Sequence, residues 1–97
     1  MTITSVSRWK GTSDKRELVR ELGLLLKSHG AESVRTGRCH AGAYAGQAFT
    51  FVTFPDWATY GQAMQDVTAD YSYAQIIADL SKNSELLERY IVNDEEL

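Results

Sequence analysis

The segment QAFTFVTFPDW, residues 47–57, constrains the fold more than any other stretch of the chain. In an extended backbone Phe49 and Phe51 fall on one face, while Ala48, Val52 and Phe54 fall on the other, so both faces are apolar. A strand of this kind is covered on both sides and belongs inside a sheet. It stops at the only proline, Pro55, which has no N–H for a ladder. Asp56 behind it is a good helix N-cap, and Trp57, Tyr60, Met64 and Val67 then recur at helical spacing.

The remaining elements can be read outward from there. ITSVSRW predicts a first strand over about residues 2–10, with Ile3, Ser5, Ser7 and Trp9 on one face and Thr4, Val6 and Arg8 on the other. Asp14 and Glu17 have the spacing of a capping box. Leu18, Leu22, Leu25, Leu26 and His29 continue as a helical stripe, with Leu24 as a second apolar edge, and Gly30 offers a left-handed C-terminal cap. AESVRTGRCHAG reads as a second strand over residues 31–42, with a possible bulge at Gly37, and AYAG as a turn. Asp70 opens a further helical stretch carrying Tyr73, Ile76, Ile77 and Leu80, which Asn83 can end. SELLERYIVN gives a last strand over residues 85–93, ahead of an acidic DEEL tail. The order β-α-β-β-α-α-β predicts an α+β, ferredoxin-like domain spanning residues 1–97, a four-stranded antiparallel sheet with helices on one face.

Ninety-seven residues make one domain with a thin core. The net charge of −3 hides an asymmetry, +4 over residues 1–40 and −7 over residues 41–97. Glu17, Glu21 and Glu32 interrupt the basic residues, which argues against a nucleic-acid footprint. One cysteine allows neither an internal disulfide nor a multi-cysteine metal site. The opening MTITSVSRWKG lacks the apolar core of a signal peptide, and no apolar run reaches the ~20 residues of a membrane span. The expectation is a cytoplasmic protein without metal or other cofactor.

Helices on one side leave the other sheet face uncovered. That face is expected to carry Val34, Phe49 and Phe51, too large an apolar patch for a monomer. Pairing with a second copy, sheet against sheet, covers it. The stretch TGRCHAGAYAGQAFTFVTFPDWATYGQAMQDVTADYSYAQIIADL, residues 36–80, resembles the dimeric α/β-barrel superfamily. Within it, the nearest likeness is to small antibiotic-biosynthesis-type monooxygenases and NIPSNAP-like proteins. The resemblance rests on the Gly-bearing hairpin, the strand ending in FPDW, the helix with Tyr60 and Met64, and the ADYSYAQII segment. It implies a homodimer with a pocket between sheet and helices. It also implies an activity drawn from cofactor-independent oxygenases, haem-degrading enzymes, isomerases, dehydratases or inactive proteins. The helix histidine of haem-degrading members has no counterpart, since residues 57–82 contain none.

Cys39 and His40 are adjacent, so on a strand they point to opposite faces and cannot form a nucleophile–base pair. Arg38 and His40 are two apart and share a face with Thr36 and Val34. There an imidazole could move a proton and a guanidinium could hold the resulting oxyanion. The alternative is an exposed or interfacial pair. Trp9 and Tyr60, each with a polar tip, are candidate walls for a small aromatic or apolar ligand, though aromatics at this spacing also fill cores. Three readings of function follow. One is a cofactor-independent monooxygenase or isomerase of an aromatic or polyketide-like compound. The others are a non-catalytic ligand-binding dimer and a structural module with a filled pocket.

Overall fold

A computed structural model of the chain describes residues 2–11, 16–82 and 84–95. Four strands, β1 (Ile3–Gly11), β2 (Ser33–Arg38), β3 (Ala48–Phe54) and β4 (Ser84–Asn93), and three helices, α1 (Arg16–Ser28), α2 (Trp57–Thr68) and α3 (Tyr71–Leu80), follow in the order β1-α1-β2-β3-α2-α3-β4. The sheet is antiparallel with order β2-β3-β1-β4. The ferredoxin-like order expected from the sequence is therefore present, and the doubly apolar β3 is an inner strand.

Local chemistry sets the element boundaries. The Asp56 carboxylate caps α2, accepting from the Thr59 amide at 2.7 Å, and the same bond holds its pKa below the ordinary 3.8. Asp70 caps α3 in the same way, through the Ser72 amide at 2.7 Å. At the end of α1 the Gly30 amide bonds the Lys27 carbonyl and the Ala31 amide reaches back to Leu26 at 3.1 Å, with Gly30 at φ 104°. This is a Schellman cap, and a Cβ at Gly30 would also lie 2.6 Å from Thr59 Cγ2. The expected Asp14 cap and the Asn83 stop lie outside the described residues.

The core lies between sheet and helices. Ile3, Val52 and Phe54 meet Leu22 and Leu26 of α1, Ala63 and Val67 of α2, and Ile76 and Leu80 of α3. Phe54 is completely buried and meets the Tyr60 ring edge-on at 5.4 Å. Leu24 departs from expectation. It does not widen the packed face of α1 but is 68% exposed.

Strand pairing sorts the sheet residues into rows. On the helix side, Phe54 and Ile3 stand beside Asn93, followed by Val34, Val52, Ser5 and Ile91. Val34 thus faces the helices, where Gly23 lets α1 approach so closely that an added Cβ would meet the Val34 Cβ at 3.3 Å. This corrects the expectation that Val34 lies on the uncovered face. The register of β2 runs without interruption past Gly37, and the sheet's bulge falls instead between Arg8 and Trp9 against β4.

The uncovered face carries Phe51, Val6 and Tyr90 across its centre, with Phe49 and Val92 in flanking rows. The Phe49 and Phe51 rings stack at 6.2 Å, and the Arg35 guanidinium lies over Phe51. Tyr90 and Val92 remain 43% and 41% exposed. At the hairpin end Arg8 bonds Glu88 at 2.8 Å and Gln47 at 2.7 Å and lies 4.0 Å over the Tyr44 ring.

Candidate functional site

The helix side of the sheet changes character along its length. After the apolar rows comes one that is wholly polar: Thr36, Thr50, Ser7 and Arg89, one residue from each strand. The next holds Arg38, Ala48 and Trp9. Ser5 and Thr50 are buried all the same. Hydroxyls beneath a helix layer cost stability unless they meet partners or a wet cavity.

Arg89 is the charged member of this strip. Its Nε donates to Ser5 Oγ at 3.1 Å, and its Nη2 lies 3.7 Å from Met64 Sδ on α2. A thioether is a weak acceptor, and among the described residues no carboxylate pairs with this guanidinium. Arg89 is therefore a cation anchored at one nitrogen, with most of its remaining donors open to a ligand oxygen. Ser7 is its register neighbour on β1. Trp9, half-buried against the core, donates its indole N–H to Thr50 Oγ1 at 3.4 Å. Together these groups can hold a flat ligand against the indole and an anionic oxygen against the guanidinium.

The residues singled out from the sequence are spread over the fold. Trp9 and Arg38 share a row at the hairpin end. Arg38 is exposed and donates to the Gly46 carbonyl at 2.7 Å, so part of its fork serves the hairpin. His40 lies just past β2 and is exposed. Cys39, with its backbone paired to Gln47 and Gly46, points its thiol at the Ala41 carbonyl, 3.2 Å away. Tyr60 packs on Phe54, whose partner on β1 is Ile3. Ile3 and Trp9 are six residues apart on β1, roughly 20 Å at the rise of a strand, so Trp9 and Tyr60 do not wall one cavity. Arg89 is not among these residues. The signal that points to it is the Ser5–Ser7 pair interrupting the apolar face of β1. Among the described residues no group of three or more His, Cys, Asp or Glu is placed to hold a metal ion, and no helix is long and apolar enough to cross a membrane.

Known structures share this architecture. The cofactor-independent oxygenase SnoaB from Streptomyces nogalater superposes with a TM-score of 0.67 at 13% identity, over 99% of this chain and 95% of that one. A NIPSNAP family protein from Agrobacterium tumefaciens gives 0.68 at 16% identity, again over 99% and 95%. A dimeric ferredoxin-like protein from an uncultured marine organism gives 0.67 at 12% identity, over 98% of both chains. At these identities the likeness is one of fold, the fold that the sequence resemblance implied. A comparison with curated proteins returns no match. Residues 3–92 match the model of the family described as Domain of unknown function (DUF6854), and the chain belongs to that family.

Proposed function

We propose that the chain forms a twofold dimer through its uncovered sheet face, and that each protomer binds a small conjugated molecule with an acidic oxygen beneath the helices. The observation that carries the ligand reading is Arg89. A guanidinium held by a buried serine, without a carboxylate partner among the described residues, suits a phenolate, enolate or carboxylate oxygen. The Ser7 hydroxyl can supply a second donor, and Trp9 a flat wall. The chain's part in a reaction is to favour the ionised ligand through the exposed Arg89 guanidinium, which prepares an electron-rich carbon for oxygen or for a proton at a new position. Similarity in fold to an oxygenase that needs no cofactor supports monooxygenation or isomerisation of an aromatic or polyketide-like compound as the finer reading.

The helix-side rows from Arg38 to Ile91 contain no carboxylate or imidazole, a point in favour of ligand binding without catalysis. In the catalytic reading His40 takes the proton and Arg38 steadies the anion, and their hairpin must close over the cleft or reach that of the partner. Titration with a panel of naphthols and hydroxyanthraquinones, followed by Trp9 and Trp57 fluorescence, tests the proposal. Arg89→Met should weaken binding of the ionised compounds by about tenfold or more, the loss of one charge-assisted contact. Equal binding by wild type and Arg89→Met would remove Arg89 from the site. Unchanged turnover of an identified substrate by His40→Ala would remove His40 as the base.

A further inference from the structure

The contact between Arg89 and Met64 brings an oxidisable sulfur to the cation of the polar row. Met64 is the chain's only methionine besides Met1. Its helix neighbours Ala63 and Val67 are completely buried, whereas Met64 is half-buried and packs at the margin of the same core. A long side chain on a helix leans back over the preceding turn. Three residues back stands Gly61, where an added Cβ would meet nothing within 4 Å, so that flank of the thioether is open. The Arg89–Met64 contact is itself exposed, and a small oxidant can reach it. Ser5, buried on β1, accepts from Nε at 3.1 Å and fixes the base of the guanidinium fork. Nη2 is the nitrogen turned toward the helix layer, and its partner there, at 3.7 Å, is a weak acceptor.

From this geometry we propose that Met64 is an oxidation site that controls the cleft: its sulfoxide oxygen accepts from Arg89 Nη2 and takes the donor that an anionic ligand beneath α2 needs. The proposal rests on the anion-binding reading of Arg89 and adds its regulation. With hydrogen peroxide as oxidant, the sulfur lone pair attacks one peroxide oxygen and the O–O bond breaks. That oxygen stays on Sδ, its proton passes to the leaving hydroxide, and water departs. The sulfur is oxidised and the peroxide reduced by two electrons. A ligand oxygen displaces a thioether from Nη2 at little cost, because an N–H···S contact is weak. Against the sulfoxide it must displace a charge-assisted hydrogen bond, so affinity falls about tenfold or more. A dithiol reductant returns the thioether, itself leaving as a disulfide and the oxygen as water, and the site reopens.

Mild treatment of the folded protein with hydrogen peroxide tests the inference. Peptide mapping should find one added oxygen on the peptide that carries residue 64. The naphthol and hydroxyanthraquinone titrations, repeated on the oxidised protein, should give about tenfold weaker binding, and methionine sulfoxide reductase should restore it. Met64→Leu, whatever its starting affinity, should keep that affinity through the same treatment. A readout without ligand is the Arg89 Nε–H resonance, identified by its loss in Arg89→Met, which should shift on oxidation in wild type and stay in place in Met64→Leu. Met64 that takes up oxygen only after unfolding in urea would overturn the proposal. So would equal affinity before and after oxidation, an equal loss in Met64→Leu, or an Arg89 resonance that oxidation does not move. Binding of no compound by the unoxidised protein, with the Arg89 resonance shifting as expected, would instead overturn the ligand reading on which the control of binding rests.

Discussion

Tyr90→Ala tests the uncovered face. Tyr90 stands in its central row beside Val6 and is 43% exposed in the single chain. A tyrosine presents roughly 200 Å², so about 90 Å² remains for a partner to cover. At about 25 cal/mol per Å² that area contributes about 2 kcal/mol for each chain. A twofold interface uses the residue twice, so the dimer should lose about 4 kcal/mol, roughly a thousandfold in dissociation constant. Sedimentation equilibrium over a dilution series reads this directly, with far-ultraviolet circular dichroism to confirm the fold. Leu24→Ala is the control, because Leu24 is more exposed than Tyr90 but lies on the helix layer. A dissociation constant unchanged within a few-fold in Tyr90→Ala, or lowered affinity of equal size in Leu24→Ala, would refute the assignment of this face to the dimer.

Phe54→Ala should destabilise the protein by about 3–5 kcal/mol in denaturant titrations, because a completely buried ring is removed between Ile3 and Tyr60. Asp56→Ala should lower stability at neutral pH by removing the cap of α2. The Asp56 pKa is depressed by the Thr59 amide, so its stabilisation is present above the ordinary 3.8 and is lost as pH falls through the lower folded value. The difference between wild type and Asp56→Ala should therefore close in acid melts below that range. A gap of constant size would rule out the carboxylate as its source.

Much of the fold could be read from local chemistry. Pro55, Asp56, Asp70 and Gly30 act through their own backbones, so they mark the same boundaries in sequence and in structure. Where the sequence reading failed, the missing information was relational. Whether Val34 faces the helices or the uncovered side depends on how the hairpin loop sets the phase of β2 against β3, and one residue of slip reverses it. Arg89 belongs to the alternating set Leu87, Arg89, Ile91 and Asn93, where it reads as a polar residue on an outer strand. Only the pairing of four strands aligns it with Ser7, Thr50 and Thr36. Trp9 and Tyr60 look equivalent as amphipathic aromatics, but the register puts them at opposite ends of the sheet. A cleft residue is defined by its neighbours across strands, and strand order is a property of the whole chain.

Native mass spectrometry of freshly purified protein tests the central claim most directly. The account predicts a species of two chains carrying a discrete extra mass on each protomer, lost in Arg89→Met while the dimer persists. A single chain under the same gentle conditions would contradict the dimer. The same extra mass on wild type and Arg89→Met would contradict the anion-binding cleft.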